Sequence, residues 1–131
     1  MSLIPGWTPR MLVLEDEAAV CFLIEDMLQE LGCAVVLSAA RVDQALEAID
    51  QVAIDAAILD VNVGGRSSFA VAEALVKRGI PFVFATGYGE SGLIEDFKSY
   101  PLLQKPFRID DLETKLRKAL EGRNTSRFPA S

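Results

Sequence analysis

Five polar residues stand where short apolar runs stop. Glu15 and Asp16 follow the run 11–14, Asp60 follows 56–59, Thr86 follows 81–85, and Lys105 follows 102–104. Three carboxylates, a hydroxyl and an ammonium share a chemistry if they meet. Carboxylates within a few ångströms repel one another. A hard divalent cation relieves that repulsion, and oxygen ligands with a few waters are what Mg²⁺ prefers. Such an ion also neutralises an incoming phosphoryl group and clamps its oxygens. Asp60 then suits a carboxylate nucleophile that forms an acyl phosphate. Lys105 offers a compact positive charge to the phosphoryl oxygens. Thr86 offers a hydroxyl donor, and Gly87 leaves room at the entrance.

Taken singly, each residue has a blander use. An Asp after a strand is a turn or cap residue, and a Lys before Pro is a solvated charge. The set carries the reading, because each polar group ends a different apolar run.

For these residues to meet, the runs must be neighbouring strands that point the same way. Between them lie helical patterns. Val20, Leu23, Ile24, Met27, Leu28 and Leu31 recur at steps of three and four and predict a first helix, ended by Gly32. The run 34–37 predicts a second strand, and Val42, Ala45, Leu46 and Ile49 a second helix. Ser67 or Ser68 suits the cap of a third helix with Phe69, Ala72, Leu75 and Val76 inward. A weak helix is expected over 93–98 and a last one over 109–120. Residues 1–9, broken by Pro5, Gly6 and Pro9, read as an irregular leader, 10–121 as one domain, and 122–131 as a flexible polar tail. Short, nearly continuous apolar strands need both faces covered. The alternation therefore predicts an α/β fold, a doubly wound five-stranded parallel sheet with helices on both faces and the fourth helix short or irregular. In such open sheets sites form outside the carboxyl ends of the strands.

The totals narrow the function. A chain of 131 residues suits one domain. Its net charge of −6 argues against direct nucleic-acid binding and against an anionic membrane surface. No apolar run is long enough to span a membrane, and residues 1–10 lack the pattern of a signal peptide. Cys21 and Cys33 read as buried free thiols, in keeping with the cytoplasm. The chain has no histidine. That removes Ser-His-Asp and Cys-His catalysis, and any phosphohistidine donor must be another molecule.

The stretches Leu14-Glu15-Asp16-Glu17, Leu59-Asp60-Val61-Asn62, Ala85-Thr86-Gly87 and Gln104-Lys105-Pro106-Phe107 together resemble the response-regulator receiver family of two-component signalling. The likeness runs over about residues 10–120. It implies a flavodoxin-like sheet of strand order 2-1-3-4-5. Asp60 would be the phosphoacceptor, Asp16 a direct Mg²⁺ ligand, and Glu15 the holder of a metal-bound water. The backbone carbonyl of Asn62 would supply a further ligand. Thr86 and Lys105 would sense the phosphoryl group, and the Lys105-Pro106 peptide would be cis. The partner implied is a histidine kinase or a histidine phosphotransfer protein, the protein being a monomer or weak dimer, either a single-domain regulator or the receiver of a larger one. Such a domain is no enzyme beyond slow self-dephosphorylation.

The departures from the family pattern are specific. Two aspartates are usual where this chain has Glu15-Asp16. The aromatic switch position, three before the lysine, holds Leu102, and the stretch from Thr86 to Lys105 is short by a few residues. Phe84-Ala85-Thr86-Gly87-Tyr88 resembles a Phe-Ala-Thr-Gly-X-Tyr subgroup common in alphaproteobacteria. There Tyr88, with Gly87 and Pro106, would carry the switch; Tyr88 as a plain exposed loop aromatic is the alternative. Two other readings remain at this point. A haloacid-dehalogenase-type phosphatase wants a second Asp where Asn62 stands, and a pseudo-receiver would bind partners without ever taking phosphate.

Overall fold

The structure, a computed structural model, describes residues 2–87, 97 and 99–127. Its elements run β1 (Arg10–Leu14), α1 (Ala18–Glu30), β2 (Ala34–Ala39), α2 (Val42–Gln51), β3 (Ala56–Asp60), β4 (Asn62–Val63), β5 (Arg66–Ser67), α3 (Phe69–Lys77), β6 (Phe82–Thr86), β7 (Leu102–Gln104) and α4 (Ile109–Arg127). The main sheet is all parallel in the order β2-β1-β3-β6-β7. That is the expected 2-1-3-4-5 once the small β4-β5 hairpin is set aside.

The strands sort their side chains with a period of two. Met11 and Val13 of β1 join Ile58, Val83, Ile24, Leu28 and Leu116 on the α1/α4 face. Leu12 and Leu14 join Leu59, Phe84, Ile49 and Leu75 on the α2/α3 face. With both faces covered, the continuous apolar runs have no side left for water. The helix ends follow local chemistry. Gly32 takes φ 82° just past α1, and the N–H of Cys33 returns to the carbonyl of Leu28 at 2.9 Å, which satisfies an otherwise unpaired helix carbonyl.

Several expectations need correction. Leu23 does not face the core; it is 58% exposed, beside Phe22 at 68%. The stripe Ile24, Leu28 and Leu31 meets the sheet, and Val20, Leu23 and Met27 form the next stripe round the helix. Cys33 is buried, but Cys21 is only half-buried. The leader has no regular element, yet it is docked. Leu3 is 2% exposed, its N–H donates to the carbonyl of Leu31 at 2.6 Å, and Arg117 donates to its carbonyl at 3.2 Å. The last helix does not stop at Leu120 but runs to Arg127, so the expected tail 122–131 begins as helix; the first proline after it is Pro129. Strand β6 starts at Phe82 and includes Thr86. The weak helix over 93–98 falls, but for Phe97, outside the described residues, as does Tyr88. Among the described residues there are four α-helices, and none is long and apolar enough to cross a membrane.

Candidate functional site

Strand register does the assembling. Leu14 of β1 pairs with Leu59 of β3, so the next residues, Glu15 just past β1 and Asp60 at the last position of β3, stand side by side at the carboxyl edge of the sheet. Asp60 pairs with Ala85 and Thr86 with Gln104. The N–H of Lys105 then donates to the carbonyl of Thr86 at 2.8 Å. One rim therefore collects Glu15, Asp16, Asp60, Thr86 and Lys105, as the sequence predicted. The Lys105-Pro106 peptide is cis.

The rim closes a cavity of about 420 Å³ lined by Asp16, Glu17, Asp60, Val61, Asn62, Ser67, Phe69, Thr86, Gly87 and Lys105. Glu15 lies beneath it, only 3% exposed. Glu15 accepts from the N–H of Glu17 at 3.0 Å and from Lys105 Nζ. Lys105 Nζ also donates to Oδ2 of Asp60 at 3.0 Å. The other Asp60 oxygen accepts the N–H of Asn62 at 3.3 Å. Asp16, exposed at the mouth, accepts the N–H of Gly64 at 2.9 Å. Thr86 is buried at 2% exposure.

The electrostatics follow from this packing. Burial raises the pKa of the Glu15 carboxyl and outweighs the hydrogen bonds from Lys105 and Glu17. Burial works against the Lys105 charge, but its bonds to Glu15 and Asp60 prevail and raise its pKa. One oxygen from each of Glu15, Asp16 and Asp60 lies within 4.8 Å of the others. That is close to the roughly 4 Å spanned by opposite ligands of one small hard ion. Three carboxylates against one ammonium leave two negative charges, which a divalent cation offsets. The donor set, all oxygen, fits Mg²⁺. Asp16 and Asp60 line the open side, while Glu15 is committed to Lys105 and the Glu17 amide.

Two features escaped the sequence reading. The Gly64-Gly65 pair, two glycines between short runs and thus a hairpin signal in the sequence, forms the turn between β4 and β5. Phe69, whose spacing predicts only an inward core residue, also lines the cavity while stacking on Phe97 at 5.3 Å between centroids. Of the two serines expected to cap α3, Ser67 satisfies its first N–H and Ser68 does not. The hydroxyl of Ser67 accepts from the N–H of Phe69 at 3.1 Å, and Ser68, the residue at the cap, makes no side-chain cap bond.

Comparison with known proteins agrees with this geometry. The family model of the response regulator receiver domain matches residues 11–117. The transcriptional regulatory protein PdtaR of Mycobacterium tuberculosis is 34% identical over 107 residues, covering 79% of this chain and 52% of that protein. The chain thus spans about half the length of the curated relatives it matches. The solution structure of SdrG from Sphingomonas melonis Fr1 is 42% identical, with a TM-score of 0.79, covering 92% of this chain and 99% of that one. The response regulator PhyR from Brucella abortus is 27% identical, with a TM-score of 0.84, covering 95% of this chain and 52% of that one.

Proposed function

The chain belongs to the response regulator receiver family, and on that basis we propose that it takes a phosphoryl group on Asp60 and uses it to switch the binding of a partner. The family is a signalling rather than a catalytic one, and phosphoacceptor function is typical of it. The observation that carries the assignment to Asp60 is its placement. Its carboxylate is 12% exposed, opens on the cavity, and stands 3.0 Å from a lysine that stays charged.

A carboxylate oxygen of Asp60 bonds to the phosphorus of a phosphohistidine as the P–N bond breaks, and the departing imidazole keeps the electron pair. The donor is a histidine kinase or a histidine phosphotransfer protein, since this chain has no histidine. Lys105, set between Glu15 and Asp60, is placed to follow the negative charge onto the phosphoryl oxygens. Thr86 lines the same cavity on the strand between those of Asp60 and Lys105, where its hydroxyl would donate to one of those oxygens. Asp16, Asp60 and the backbone carbonyl of Asn62 would hold Mg²⁺, with Glu15 through a water. When bound, that ion supplies positive charge to the phosphoryl oxygens. Hydrolysis of the acyl phosphate is slow in this reading, because the two carboxylates clustered with Asp60, Glu15 and Asp16, are tied to Lys105 or to backbone amides. Asn62 has no proton to give as an acid, which leaves the phosphatase reading without its general acid.

The donor must cover the cavity mouth to reach Asp60. Beside that mouth runs an apolar groove lined by Val20, Leu23, Ile24, Met27, Pro106 and Phe107 and reaching Lys105 and Gly87. This groove supports α1 as the donor's seat. The two free thiols support a reducing, cytoplasmic setting.

The test is labelling by acetyl phosphate or beryllofluoride with Mg²⁺, read by intact mass or amide shifts. Wild type should label and Asp60→Asn should not. Equal labelling of both, or of neither, sinks the assignment.

A further inference from the structure

The residues after β3 fold into a hairpin whose tip meets the acidic cluster. Asn62 pairs with Ser67 and Val63 with Arg66, antiparallel. The turn between them holds Gly64 at φ 58° and Gly65 at φ 82°. Two successive positive φ values mark a type I′ turn, whose twist matches that of its own strands. At Gly64 a Cβ would meet nothing within 4 Å. Space is therefore not what calls for glycine there; the backbone conformation is.

The hairpin is fixed on its other sides. Val63 is 2% exposed and packs into the core on the α2/α3 face. Arg66 reaches Asp43 in the first turn of α2 at 3.0 Å, though both side chains are exposed and that pair adds little. Val61 accepts the N–H of Ser68, so the chain re-enters β3's end on leaving the hairpin. What this anchored turn holds out is one backbone donor, and that donor meets Oδ2 of Asp16 at 2.9 Å.

The three carboxylates are secured differently. Glu15 is gripped by Lys105 and the Glu17 amide, and Asp60 by Lys105 and the Asn62 amide. Asp16 is the exposed one, and among the described residues the hydrogen bond it accepts comes from Gly64. A free, exposed Asp would have to lose side-chain rotamers to ligate an ion. A carboxylate has about four lone-pair sites, so it accepts an N–H and ligates a cation together. Ligating carboxylates held by an outer hydrogen bond lose tenfold to a hundredfold in metal affinity when that partner is removed.

We infer that the Gly64 amide is the positioning group for Asp16: the type I′ turn presets a backbone donor that fixes one Asp16 oxygen and leaves the other turned to a divalent cation. This rests on Asp16 being a cation ligand, as proposed above. The hairpin then serves the ion site twice through its backbone, by the Asn62 carbonyl proposed above and by the Gly64 amide.

The experiment compares Mg²⁺ affinity, by calorimetry and amide shifts, in wild type, Gly64→Val and Gly64→Asn. Valine is badly strained at φ 58° and opens the turn, whereas asparagine tolerates that region and keeps the amide in place. Gly64→Val should bind Mg²⁺ roughly tenfold more weakly or worse, and Gly64→Asn within about twofold of wild type. A second readout needs no metal. Hydrogen exchange of the Gly64 amide should be slowed in wild type and at least tenfold faster in Asp16→Ala. Wild-type affinity in a folded Gly64→Val overturns the inference. So does unchanged Gly64 exchange in Asp16→Ala, which stands even if Gly64→Val fails to fold. Wild type that binds no Mg²⁺ while Asp16 still protects the Gly64 amide overturns the ion reading itself, and is thereby told apart from a failure of the positioning role.

Discussion

The ammonium of Lys105 stands 3.0 Å from Oδ2 of Asp60 and bridges it to Glu15 underneath. Its removal does more than delete a sensor of phosphate. Glu15 is 3% exposed and would keep only the Glu17 amide. Breaking one side of a buried pair leaves an uncompensated charge. Lys105→Ala should therefore lower stability by roughly 2–4 kcal/mol, seen as a reduced urea midpoint at neutral pH. A midpoint equal to wild type would mean that Glu15 does not depend on the lysine.

A cation that offsets the two surplus charges binds the folded state alone. Mg²⁺ at a hundred times its dissociation constant should stabilise the wild type by about 2.7 kcal/mol. Chelation should reverse the rise in thermal midpoint. Asp16→Ala should lose most of that rise while folding normally, because Asp16 is exposed at the mouth. A Mg²⁺-induced shift as large in Asp16→Ala as in wild type would place the ion elsewhere.

Leu23 offers a way to separate the donor's seat from the chemistry. It is 58% exposed and lines the groove beside Lys105. Leu23→Glu should slow phosphoryl transfer from a phosphohistidine protein about tenfold or more. Labelling by acetyl phosphate should be unchanged, and stability should stay within about 0.5 kcal/mol. If both donors slowed alike, the groove would not be where the partner sits.

Cys33 gives the fold an alkaline weakness. Burial pushes its thiol from an ordinary value near 9 up to about 11. A folded-state pKa above the unfolded one means that the stabilising difference is complete below pH 9. It is lost as pH rises through 11. The loss across that window is roughly 2–3 kcal/mol at one pKa unit per 1.36 kcal/mol. Urea midpoints measured from pH 8 to 11 should fall, and Cys33→Ala should show a shallower fall. Parallel slopes in the two proteins would remove the thiol as the cause.

The sequence disclosed the sheet and the rim for one reason: each polar site residue ends an apolar run, and runs of that kind become parallel strands. Once Leu14 pairs with Leu59, the meeting of Glu15 and Asp60 follows. Depth was not legible. Glu15 and Asp16 are adjacent in sequence, yet one is buried under a lysine and the other is exposed at the mouth, because successive residues leaving a strand take opposite sides. Leu23 misled because an amphipathic helix shows a stripe wider than the face that meets the sheet. The docking of Leu3 had no periodic signal at all, since it depends on single bonds to Leu31 and Arg117.

Leu3 also bears on how the domain can be trimmed. The family match runs from residue 11 to 117, whereas Leu3 and Leu120 both belong to the α1/α4 core. A fragment cut to the family's limits would uncover Leu31 at one end and lose the last inward leucine of α4 at the other. Its hydrophobic seam would be open to water at both margins, so a domain excised for transplantation should carry its first ten residues as a working clasp.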